Sequence, residues 1–168
     1  MASYPNSIWS PTTKNTNDVI QAAHVNDAQA EIVALESDLL ATSWTNYNPT
    51  LSGLTIGNGS LQGSYMRLKN IVFFRALIIF GSTTTVTGPV IIGTPTSFVM
   101  TAAGDSLGHG IAYDSSAVLL YPTALVVGAA SMVAVMSVAN PLANVTATVP
   151  FTFAVSDQIG VTGWYIQN

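Results

Sequence analysis

Few side chains in this 168-residue chain have types and spacings that could do chemistry. Asp105, His109 and Asp114 lie close together, in and just beyond the Gly-rich stretch Gly104–Gly110. Two carboxylates and an imidazole can ligate a divalent metal, and such ligands can also meet at the axis of an oligomer. Their spacing matches no ligand signature, so a polar surface loop is the stronger reading and no metal is expected. Ser106 beside His109 raises nucleophilic catalysis, but neither a Gly-x-Ser-x-Gly elbow nor a charge-assisted base accompanies the pair. The residues therefore point away from an enzyme, and no cofactor is expected.

Aromatic residues form the second group. Trp44, Tyr47, Tyr65, Trp164 and Tyr165 offer flat faces of the kind that stack on pyranose rings, with Trp164 and Tyr165 the pair singled out for glycan contact. Core or intersubunit packing is the competing explanation, because aromatics bury readily.

The elements that must position these residues are set by composition and pattern. Hydrophobic residues make up 49% of the chain and charged ones only 7%, where soluble domains carry about 25% charged residues. Such a surface invites association, so cover by further copies or by a larger assembly is expected. The longest apolar runs, Ile71–Phe80 and Ala124–Ala139, are interrupted and rich in β-branched residues. They fall short of the roughly 18 unbroken apolar residues of a spanning helix, and no membrane insertion is expected. Net charge is −4 with no basic patch, which argues against nucleic acid. Cysteine is absent, excluding disulfides and thiolate metal sites. The opening Met-Ala-Ser-Tyr-Pro-Asn has neither a basic nor an apolar signal region, so no signal peptide is expected.

Three zones follow. Residues 1–15, with Pro5 and Pro11 around the apolar pair Ile8 and Trp9, read as an extended anchoring arm. Residues 16–43 read as a helical stalk, because Asp18–Leu40 contains no Gly or Pro. Val25, Ala28, Ile32, Leu35 and Leu39 step by 3, 4, 3 and 4, the a/d spacing of a short coiled coil and the expected oligomerisation seam. A single amphipathic helix packed on its own domain is the alternative. Residues 44–168 change to Thr, Val, Ile, Tyr and Phe punctuated by Gly and Pro. This predicts a mainly β fold, with short strands forming an antiparallel β-sandwich of jelly-roll type. Turns are expected at Gly57-Asn58-Gly59, Gly63-Ser64 and Lys69-Asn70, and strands at Ser97–Thr101 and Val145–Phe153 among others.

The stretch Ser7-Ile8-Trp9-Ser10-Pro11-Thr12, the helix segment from Ala22-Ala23-His24-Val25-Asn26-Asp27 to Ala34-Leu35-Glu36, and the elements Trp44-Thr45-Asn46-Tyr47-Asn48-Pro49 and Gly57-Asn58-Gly59-Ser60-Leu61-Gln62-Gly63-Ser64-Tyr65 carry a resemblance. Together they resemble the N-terminal helix and the opening of the β domain in phage tail-fibre, minor tail and head-fibre proteins. The likeness covers about the first half of the chain. Two features depart from the family pattern: Leu68-Lys69-Asn70 stands where Ile-Gly-Lys is common, and the chain is short for a receptor-binding fibre. The resemblance implies a homotrimer on the virion surface, made in the bacterial cytoplasm. The arm would hold other virion proteins, and the β domain would face outward toward a host-surface glycan. A capsid decoration or head fibre is the structural alternative, and a carbohydrate-binding module the alternative of another class.

Overall fold

The computed structural model describes residues 22–40, 43–96, 106–129, 132–137 and 143–167. The expected arm with Ile8 and Trp9, the strand expected at Ser97–Thr101 and the candidate ligand Asp105 lie outside these residues. The chain divides into two compact units, Met1–Ser43 and Trp44–Asn168.

In the first unit one helix, α1, spans Ala22–Leu40. Its residues include no Gly or Pro, and Ala, Leu, Glu and Gln dominate its middle turns, which favours the helical backbone. The 3-4-3-4 seam is solvent-exposed in the single chain, with Val25 and Leu35 about half exposed and Ile32 at 56%. Ala28 is half-buried, and the side chain of Leu39 lies outside the description.

In the second unit the regular elements among the described residues are β-strands. Its strands are β1 (Thr45–Tyr47), β2 (Leu51–Thr55), β3 (Ser60–Leu68), β4 (Ile71–Ile79), β5 (Thr85–Gly93), β6 (Ser106–Asp114), β7 (Leu119–Ala129), β8 (Met132–Ser137), β9 (Ala143–Asn144) and β10 (Gln158–Ile166). They form one sheet in the order β1-β3-β4-β10-β6-β7-β8-β5-β2, with β9 on β8. Each pairing is antiparallel. The expectation of a mainly β, antiparallel chain with one helix is met.

Alternation builds the core. On β4, Val72, Phe74, Ala76 and Ile78 are buried while the odd-numbered residues face the other way. Ile159, Val161 and Tyr165 of β10 join them. So do Leu54 of β2, Val90 and Ile92 of β5, and Val133 and Val135 of β8. Strands from both ends of the order therefore share one core, although the ladder itself ends at β1 and β2. Aromatic packing extends the cluster, with Phe80 stacked on Phe153 at 4.7 Å and Phe151 tilted on Phe153 at 4.5 Å.

Two local expectations are corrected. Gly63-Ser64 is no turn but the middle of β3, paired with Ala76 and Arg75. The glycine there answers a different need: a Cβ at Gly63 would lie 2.7 Å from Pro49 Cγ and 2.8 Å from the Tyr47 ring, so β1 could not approach. Val145–Phe153 is not a strand but a run of turns with one isolated bridge, Thr146 to Val149. Pro150 has no N–H to donate to a ladder, and the segment's apolar side chains serve the core instead. The Lys69-Asn70 turn is as expected, with Lys69 in the left-handed region at φ 54°.

Candidate interaction face

The register places the outward residues of β3, β4, β10 and β6 in cross-strand rungs. One rung reads Asn46, Ser64, Arg75, Thr162 and His109 from β1 across to β6. The next toward the start of β4 reads Met66, Phe73 and Trp164, all apolar. On the other side run Gln62, Leu77, Gly160 and Ile111. A polar belt thus lies between an apolar row and one that is apolar apart from Gln62. In most antiparallel sheets the outward face is polar and solvated, so this face is unusual.

Arg75 is fixed at its centre. Its Nε donates to Ser64 Oγ at 2.7 Å, and its guanidinium carbon sits 4.9 Å from the centroid of Trp44. That geometry suits a cation–π contact. Residues of the belt and of the row beyond it line a groove of about 570 Å³. A second hollow of about 330 Å³ lies beside it, among Leu77, Ile111, Tyr113, Leu120, Gln158 and Gly160. Gly160 leaves that space, since a Cβ there would meet only Leu77 Cδ1, at 3.8 Å.

The aromatic pair expected to touch glycan is split by the strand period. Trp164 is 55% exposed on the outward face. Tyr165 points the opposite way and is 2% exposed, its hydroxyl accepting from Thr96 N and donating to Thr96 O, both at 3.1 Å. It packs tilted on Phe74 at 5.8 Å. Tyr165 is a core residue and is withdrawn as a glycan contact. Tyr47 and Tyr65 pack edge to face at 5.9 Å. Burial, with the nearby Tyr165 as a smaller cause, raises the Tyr47 phenol above its ordinary range.

Of the weak metal candidates, the two within the described residues, His109 and Asp114, do not converge. His109 stands on the outward face, five residues from Asp114 at the end of β6, and an odd separation puts the two on opposite faces. Asp114 instead organises a turn: its Oδ1 accepts from Ser116 N at 3.0 Å, Ser116 Oγ at 2.8 Å and Ala117 N at 3.0 Å. The Ala117 backbone N–H first, and the Ser116 hydroxyl next, hold its carboxyl below the ordinary value of 3.8. Among the described residues no group of three His, Cys, Asp or Glu could hold a metal. Also among them, no helix is long and apolar enough to cross a membrane.

Sequence reasoning did not find the outward face as a unit. Its signal was present in Ile71–Phe80, which is apolar in both phases of the strand period with Arg75 as the single interruption. A strand apolar on both faces is one that is covered on both faces. No protein-family model, curated protein or solved structure matches the chain.

Proposed function

We propose that this protein is a structural appendage of a bacteriophage virion, a short trimeric tail-fibre or tail-associated protein that takes part in host-surface attachment. The observation that carries the reading is the apolar surface one copy leaves in water in each unit: the α1 seam with Ile32 and Leu35, and the outward sheet face with Trp164 and Leu120. An assembled fibre buries such surfaces between its copies. The resemblance of the helix and of the Trp44–Tyr65 region to phage fibre proteins supplies the setting. In the same reading, the β unit is a sandwich of jelly-roll type, because strands from both ends of the sheet order enclose one core.

Immunogold labelling of intact particles tests the location. Label at the tail is the expected result, and label over the capsid would favour the head-fibre alternative. Particles that carry none of the protein would overturn the proposal.

A further inference from the structure

We infer that the outward face of β3, β4, β10 and β6 is an interface between copies of this chain, an inference that rests on the self-association in the proposed function and names the surface responsible. Among the described residues the strands place no carboxylate on this face, and Arg75 is its one permanent charge. Its rows of Met66, Phe73 and Trp164 on one side and Leu77 and Ile111 on the other are apolar. Strands lie about 4.8 Å apart and rise about 3.3 Å per residue, so the four strands with their flanking neighbours β1 and β7 offer roughly 550–800 Å² of projected area, polar belt included. A stable interface takes about 800 Å² from each partner. Monomers rarely leave more than a few hundred contiguous Å² of apolar surface in water.

The chemistry suits a second copy rather than an unlike partner. The hollow over Gly160 and the exposed Leu120 at its rim lie on the same face, so one copy supplies both a recess and an apolar knob for its neighbour. Arg75 is already hydrogen-bonded to Ser64 and stacked on Trp44, so cover does not strand its charge. Arg is indeed enriched in interface cores. Asn46, Gln62 and Thr162 supply the polar contacts that an interface of this size carries. Closed rotational symmetry lets each copy turn the same face toward the axis.

Gly160→Glu tests the inference in the full chain. The Cβ would make only an ordinary contact with Leu77 Cδ1, at 3.8 Å, so the single copy tolerates the change, while a carboxylate in the hollow blocks the neighbour. Sedimentation at micromolar concentration should show loss of the wild-type oligomer in favour of smaller species, with the circular dichroism spectrum unchanged. A second measurement uses the absence of cysteine. Thr162→Cys on the face should cross-link between copies with a short bismaleimide, and Thr152→Cys, exposed off these strands, should not. If the wild type assembles but Gly160→Glu keeps its mass and Thr162→Cys gives no cross-link, this face is not the interface, and self-association stands on the helix alone. If Thr162→Cys fails to cross-link because added host-surface saccharide protects it in a monomeric chain, the face is a glycan site and the inference is overturned. A wild type that is monomeric throughout overturns the proposed assembly along with it.

Discussion

Asp157 is the buried acidic residue among the described residues, and it holds two segments together. It is buried to 1% exposure, and its carboxylate accepts from Ser115 N and Ser115 Oγ at 2.9 Å each and from Ala154 N at 2.6 Å. One side chain thereby ties the turn after β6 to the loop before β10. Asp157→Ala leaves three part-buried donors without their acceptor and should lower stability by on the order of 2 kcal/mol, while Asp157→Asn should lose about half as much, both read from urea midpoints. Thr123 is the converse case. It is 2% exposed and its Oγ1 has no hydrogen-bond partner among the described residues. Thr123→Val should therefore stabilise the chain, by about 1 kcal/mol, measured the same way. Asp114 gives a pH prediction. Because its folded pKa lies below the ordinary 3.8, the turn's stabilisation is fully present above that value and lost as pH falls through the lower folded midpoint. Nuclear magnetic resonance titration of the Ser116 and Ala117 amides should give a midpoint below 3.8; a midpoint at or above it would contradict the turn geometry.

At the scale of elements, backbone demands separate glycines that look alike in sequence. Gly53 sits at φ +72° where β2 and β5 shift register, and a Cβ there would run into the Pro89 carbonyl. Across from it, Gly88 has open space, with only Gly53 Cα at 3.8 Å. Gly53→Ala should cost more than about 2 kcal/mol, and Gly88→Ala should change stability by less than about 1 kcal/mol. Thermal melts of the two variants decide it. The helix makes a different prediction. Ile32→Ala with Leu35→Ala removes seam side chains that an assembled stalk buries, each typically worth about 2–5 kcal/mol, and should weaken assembly. Val33→Ala, off the seam and just as exposed, should not.

These elements also show what could be read in advance. The helix was legible because its residues include neither Gly nor Pro and step at 3 and 4. So was β4, because Ile71–Phe80 is a long β-branched and aromatic run. β3 and β5 were only partly legible, since Gly63 in one and Gly88-Pro89 in the other look like punctuation. Their reasons are tertiary: the close approach of β1 for Gly63, and the bulge opposite Gly53 for the other pair. The site was half legible. Trp164 and Tyr165 stand out in the sequence, but adjacent strand residues point to opposite faces, so only one can reach a ligand. Arg75, Ser64 and Thr162 are far apart in sequence, and only the register puts them on one rung.

For the whole molecule, the proposed assembly accounts together for the 7% charge content and the two exposed apolar surfaces, which further copies of the chain would cover. In the proposed assembly a seam on the helix and a face on the sheet would be two separate points of attachment, so loss of one should leave a smaller or weaker oligomer. Sedimentation equilibrium of the full wild-type chain at micromolar concentration tests this most directly. The account predicts a stable species of three times the chain mass, unchanged on moderate dilution; a stable monomer over the same range would contradict it.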